Sequence, residues 1–260
     1  MDNLISLLFP TINVIVTALF AGVVLSQYLR RHHQYQLYWA IALTMAFLAT
    51  LAYVLMIILQ PTSMVGVVLF RVYYILGAAL MPAWLGLGSI ALVSSRRVTS
   101  ICLAVLALLS ALTVASILLT DIDMQRLSRI AGTPGTGILH PGLWLALLIV
   151  LNTSGVVAVV GVAIYSGWKL LRRASETMRV QAANLLRANV LILVGDLLNG
   201  IAGSQARFLG IENAFWLIMT VGWTVFFVGV LLAGRRSQTT RATEPSKGAI
   251  EAEKHAASSS

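Results

Sequence analysis

The chain has 260 residues, of which 58% are hydrophobic and 10% charged, with a formal net charge of +9. A soluble domain of this size carries about a quarter charged residues, so a water-solvated globule is excluded and most of the chain must be solvated by lipid. A crossing helix needs about 20 mostly apolar residues; seven such runs use most of the length and leave no room for a second folded domain.

Span one runs from Leu4 to Tyr28 and is followed by Arg30, Arg31, His32 and His33. Its leading Met1-Asp2-Asn3 lacks the positive start of a signal peptide and its apolar run is too long for one, so it reads as a retained helix. Span two, Leu37 to Leu59, closes on the turn residues Gln60-Pro61-Thr62-Ser63, and span three, Val65 to Val93, ends at Arg96-Arg97. Span four covers Ile101 to Thr120. A polar connection from Asp121 to Pro141 follows, read as a loop because it carries Gly132, Pro134, Gly135 and Gly137. Span five, Gly142 to Trp168, leads into a basic segment, Lys169 to Arg187. Span six runs from Leu185 to Leu209, and span seven from Ala214 to Ala233, ending at Arg235-Arg236. The polar remainder, 237–260, has no apolar periodicity and is expected to be a disordered tail, too short for an enzymatic output domain. The expected fold is therefore an all-α seven-helix membrane bundle over residues 1–236. The lone Cys102 lies in an apolar run and provides no disulfide framework.

The basic residues sort by side. Of the 18 Lys and Arg, the residues at 30, 31, 96, 97, 169, 172, 173, 179, 187, 235, 236, 241, 247 and 254 share one side, leaving Arg71, Arg126, Arg129 and Arg207 on the other. The positive-inside rule then puts the N-terminus outside and the C-terminus in the cytoplasm. The same sorting explains the net charge without nucleic acid. Tyr28, Tyr35, Tyr38, Trp39 and Trp168 read as an inner aromatic belt, and Trp144 and Trp216 as an outer one.

Within the spans, ionisable residues are the candidates for function. Arg71 lies about six residues into span three, roughly 9 Å deep; it can snorkel to the interface, serve structure, or act on a ligand or ion pair. Asp196 lies midway along span six, where a carboxylate cannot snorkel, so it must face the interior, find a partner or lose its charge. Asp196, Asn199, Gly200, Gly203 and Arg207 share one helical face. Such a stripe is either a packing interface or the lining of a polar cavity. Side chains leaning together could bring Arg71 to Asp196, directly or through Asn199.

Span three adds Tyr74, the small residues Gly77-Ala78-Ala79, then Pro82, Trp84, Gly86 and Gly88; Pro82 should kink the helix and free a carbonyl one turn earlier. Span five adds Asn152-Thr153-Ser154-Gly155. Trp84 and Trp223 lie deep and need interior acceptors for their indole N–H groups, or line a pocket. Arg71, Tyr74, Trp84, Asp196 and Asn199 are the candidate ligand-binding residues. Lys169, Arg172, Arg173 and Arg179, on a juxtamembrane helical extension that includes Glu176, suit anionic lipid headgroups or a cytoplasmic partner. Retinal would need a lysine inside a span, and haem or zinc would need His or Cys ligands there; the histidines at 32, 33, 140 and 255 all lie outside the apolar runs. No cofactor or metal is expected, though His140 with Asp121 and Asp123 is a conceivable outer metal set. No HExxH, GxSxG or Walker sequence occurs.

The stretch Arg71-Val-Tyr-Tyr-Ile-Leu-Gly-Ala-Ala-Leu-Met-Pro-Ala-Trp-Leu resembles the third span of the seven-helix N-terminal sensor module of bacterial histidine kinases. Arg179-Val-Gln-Ala-Ala-Asn-Leu-Leu through Gly195-Asp196-Leu197-Leu198-Asn199 is similar to that module's fifth connection and sixth span, and the order and length of spans agree over residues 4–235. The resemblance implies a sensory module in a bacterial inner membrane. It departs after span seven, where no dimerisation helix, phospho-acceptor histidine or ATP-binding domain follows, so kinase signalling and the module's ligand residues are not implied. Three functional classes remain in view. The first is a stand-alone receptor for a small molecule or lipid, signalling through a separate partner. The second is a small transporter with Asp196 as coupling group, and the third an intramembrane lipid enzyme, for which no nucleophile is evident. The division of basic residues predicts that cysteines placed at Ser128 label from outside and those at Ser175 and Ser237 from inside. Labelling of Ser128 and Ser237 from one side would reject seven spans.

Overall fold

A computed structural model describes the backbone of residues 2–173 and 179–243, and the side chains of 6–169, 172 and 186–233. The helices are α1 (Asp2–Arg31), α2 (Gln34–Ile58), α3 (Met64–Tyr73), α4 (Met81–Val93), α5 (Arg96–Leu119), the single turn α6 (Met124–Leu127), α7 (Leu143–Arg173), α8 (Arg179–Phe208) and α9 (Phe215–Thr243). Seven spans among the described residues are long and apolar enough to cross a membrane, with α3 and α4 joined as one. The chain is a seven-helix, multi-pass membrane protein. One reading changes: α9 continues to Thr243, so residues 237–243 extend the helix instead of starting a tail. No proline lies between Ala233 and Pro245, and Arg241 favours the negative end of the helix dipole. Residues 244–260 lie outside the described residues.

The third span is joined by a π segment, Tyr74–Leu80. Pro82 has no N–H and its ring crowds the preceding turn. The chain answers by widening: the Met81 N–H reaches the Leu76 carbonyl, five residues back. The expected Pro82 kink thus takes the form of a π turn, a device that frequently accompanies functional sites. The turn before α3 is tight. Ser63 caps α3 by accepting the Gly66 N–H at 3.0 Å, and a Cβ on Gly66 would lie 2.3 Å from the Gln60 carbonyl oxygen.

In lipid, helices associate through close packing at small residues. At α8–α9, a Cβ on Gly195 would fall 2.6 Å from the Phe226 nitrogen, and one on Gly229 2.9 Å from the Ile192 nitrogen. At α4–α7, a Cβ on Gly155 would fall 2.3 Å from the Pro82 carbonyl oxygen, and one on Gly86 2.8 Å from the Gly155 Cα.

The connection 120–142 folds back as a lid. Leu127, Ile130, Ile138 and Leu139 are buried in it, and Ile122 pairs with Leu139 in an isolated β-bridge. Asp123 caps α6, and amide N–H groups of Arg126 and Gln125 hold its carboxyl below the usual range. Tyr53 donates to the Ile130 carbonyl (3.1 Å) and accepts the Gly132 N–H (3.0 Å), and Tyr73 donates to the Pro134 carbonyl (3.1 Å). Trp144 and Trp216 donate to the His140 and Thr133 carbonyls. Both tryptophans are buried, so they do not form the expected interfacial belt; they are the underside of the lid. Glu212 joins the same seam, accepting from the Thr133 side chain and the Thr136 backbone, while partial burial pushes its carboxyl up.

Gly155→Ala is expected to cost about 1–3 kcal/mol through overpacking. Gly161→Ala, whose Cβ meets nothing within 4 Å, is expected to be neutral or stabilising. Thermal unfolding of both variants in one nanodisc composition makes the comparison, and equal losses would contradict the packing described.

Candidate functional site

A cavity of about 660 Å³ runs from the lid into the middle of the bundle. Pro134 and Thr136 border it at the lid, Tyr73, Tyr74, Gly77 and Pro82 along the third span, and Met219 and Trp223 on α9. Its remaining wall is formed by α7 and α8. Ile149 and Val157 of α7, and Leu197 and Ile201 of α8, line the cavity and are also 40–64% exposed on the outer surface of the bundle. The cavity therefore opens sideways between α7 and α8, towards the surface that lipid covers.

The stripe on α8 faces this space. A Cβ on Gly203 would meet nothing within 4 Å, and one on Gly200 only the Val156 Cγ2 at 3.7 Å. These glycines line a cavity and are not a packing interface. Close packing is done by Gly195 on another face of the same helix.

Four polar side chains that line the cavity carry buried atoms without a hydrogen-bond partner among the described residues: Asn13 of α1 (Oδ1 and Nδ2), Asn152 of α7 (Oδ1), and Asp196 (Oδ2) and Asn199 (Oδ1) of α8. Asn13 and Asp196 are only 1% and 7% exposed. Asn152 and Asn199 each lie nine residues from the lid-side ends of their helices, a depth of ~13–14 Å at 1.5 Å per residue, and Asn13 lies eleven residues from the start of α1. Asp196 sits one turn deeper. Burying an unpartnered amide or hydroxyl costs about 1–3 kcal/mol by mutational measures, so four such side chains on one cavity is not a neutral arrangement.

Of the candidate ligand residues, the structure brings Tyr74, Asp196 and Asn199 together in this lining. Arg71 is elsewhere. Its guanidinium donates to the carbonyls of Ile117 and Thr120, each at 3.1 Å, and to that of Leu118. These are carbonyls of the last turn of α5, of which Ile117 also accepts the Thr120 N–H, and a cation there also meets the negative helix pole. The expected Arg71–Asp196 pair is therefore replaced by a helix cap. Trp84 also lies outside the lining: it packs between two other apolar clusters, its indole N–H unpartnered among the described residues. Arg207, at the lid end of the stripe, donates to the Tyr74 hydroxyl and lies over the Trp144 ring at 5.4 Å.

Asn13, Thr50 and Asn152 are also in the lining. Asn152 stands out within its polar run in span five, and Asn13 and Thr50 are polar residues within apolar spans, but only the bundle shows that all three border one space. At the opposite end of α7, Lys169 stands over Tyr165 at 5.9 Å and Arg172 over Trp168 at 3.8 Å. Residues 174–178, with Glu176, and the side chains of Arg173 and Arg179 lie outside the described residues.

Among the described residues no three His, Cys, Asp or Glu side chains converge as a metal site would require. Comparison of the chain with protein-family models, curated proteins and solved structures returned no match.

Asp196→Leu is expected to keep or raise thermal stability by about 1 kcal/mol, because it removes an unpartnered polar group. Arg71→Leu is expected to cost about 1–3 kcal/mol by orphaning the α5 carbonyls. The double variant should be additive within about 0.5 kcal/mol, and rescue of one change by the other would restore the pairing idea.

Proposed function

We propose that this chain is a receptor-like membrane protein that binds a small molecule or lipid in the cavity between α7 and α8, without catalysis of its own. The observation carrying this reading is the convergence of four unpartnered polar side chains, two of them almost fully buried, on one cavity. A bundle selected only for stability would pair such groups or replace them by apolar ones. The division of basic residues supports an N-terminus outside and a C-terminus in the cytoplasm, and the resemblance to a bacterial sensor module favours the inner membrane of a bacterial cell. On the basic side Lys169 and Arg172, backed by exposed Trp168, suit anionic headgroups; Arg173 and Arg179 extend the same patch in sequence. A signal would pass to a separate partner.

A second reading is a small transporter coupled through Asp196. It draws on the absence of any hydrogen-bond partner for Asp196 Oδ2 among the described residues, at a depth where isolated carboxyls mark ion paths.

The expected result for the receptor reading is that organic extracts of native membranes raise the Tm of the wild type in nanodiscs. Gly200→Trp, which fills the cavity, should abolish that shift. Proteoliposomes should show no flux of the stabilising compound. Saturable flux lost in Asp196→Asn would favour the transporter, and a shift unchanged by Gly200→Trp would remove the cavity from the account.

A further inference from the structure

We propose that the ligand is a membrane-dissolved amphiphile with a primary ammonium head and a single alkyl chain, the head seated at Asp196 and the chain leaving between α7 and α8. This rests on the receptor reading and adds the chemical class of the ligand and its route.

The route comes from the wall. Ile149, Val157, Leu197 and Ile201 are apolar, line the cavity and are exposed to the lipid side. A ligand with an alkyl chain keeps that chain in hydrocarbon along this opening and loses little by leaving the bilayer. The lining continues along α8 to Phe208 and Leu209, apolar and 68% and 67% exposed, while the lid itself is pinned down by hydrogen bonds from Tyr53, Tyr73 and Trp216.

The head comes from the deep end. Asp196 is buried, faces the cavity, and its Oδ2 lacks a partner among the described residues. An ionised carboxylate offers acceptors only, the unpartnered atoms of Asn152 and Asn199 are their oxygens, and Asn13 offers both its oxygen and its nitrogen. An ammonium brings three N–H donors and no acceptor, so it answers the oxygens that dominate this set and adds charge complementarity. A carboxylate or phosphate head would meet Asp196 as a like charge. The cationic alternative on the wall, Arg207, is eleven residues along α8, roughly 16 Å away, and is engaged by Tyr74 and Trp144.

The test uses the full chain in zwitterionic nanodiscs and two photoreactive probes of equal length, a primary alkylamine and a fatty acid, each with a diazirine near the chain end. The amine is expected to label α7 and α8 around Val157 and Ile201, to saturate, and to be competed by unlabelled alkylamine. The fatty acid should label only at background. A charge-assisted hydrogen bond is worth about 1.5–3 kcal/mol, so Asp196→Asn should weaken amine labelling by about tenfold or more. Arg126→Lys, on the lid and outside the lining, should leave it unchanged. Equal labelling by both probes, or amine labelling indifferent to Asp196→Asn, would overturn the ammonium assignment while the cavity reading stands. Loss of all extract-induced stabilisation in Gly200→Trp with no labelling by either probe would overturn this ligand class alone. No stabilisation by any extract would fail the receptor reading itself.

Discussion

The constraint on which this bundle depends is that hydrocarbon offers no hydrogen bonds, so every polar group placed in it must find a partner within the protein. Most of the chain obeys. Arg71 turns to the last carbonyls of α5, Tyr53 and Tyr73 reach the backbone of the lid, and Thr17, Thr44 and Thr50 bond back to carbonyls in their own helices. Against that pattern Asn13, Asn152, Asp196 and Asn199 stand out because they break the rule together and in one place. Their grouping gives the cavity chemical meaning; volume alone would not.

The surrounding architecture keeps that cavity open. Glycines draw α8 onto α9 at Gly195, Gly222 and Gly229, and α7 onto α4 at Gly86 and Gly155. These contacts hold α7 and α8 against different neighbours, and the glycines on the α8 face between them, 200 and 203, have no backbone pressed against them. The π segment that answers Pro82 places Tyr74 and Gly77 on the opposite wall. Above, the lid covers part of the end through Trp144 and Trp216, and Thr136 approaches the Ala206 carbonyl at 3.5 Å.

The seven spans were legible in the residue order because crossing a membrane is a one-dimensional requirement of length and polarity. The ends agree to within a few residues except where helices continue into water, as α9 does to Thr243. The α8 stripe was also legible, since Asp196, Asn199, Gly200, Gly203 and Arg207 share a face by periodicity. Whether that face packed or lined a space was not, because periodicity says which residues share a face and nothing about what stands opposite. The same limit explains Arg71. Its depth allowed a partner on span six, but the nearer acceptors were carbonyls at the end of a helix, a class of partner that side-chain reading overlooks. Trp144 and Trp216 read as interfacial because the folding back of 120–142 over them depends on contacts between distant residues.

The central claim is that one face of α8 lines a cavity and another packs. Thermal unfolding of Gly203→Leu and Gly195→Leu, measured side by side in one nanodisc composition, tests it most directly. A side chain at 203 enters open space, whereas a Cβ at 195 would lie 2.6 Å from the Phe226 nitrogen. The account predicts a Tm near wild type for Gly203→Leu and a loss of about 1–3 kcal/mol or more for Gly195→Leu. The opposite order would place the packing interface on the polar stripe and leave no cavity for a ligand.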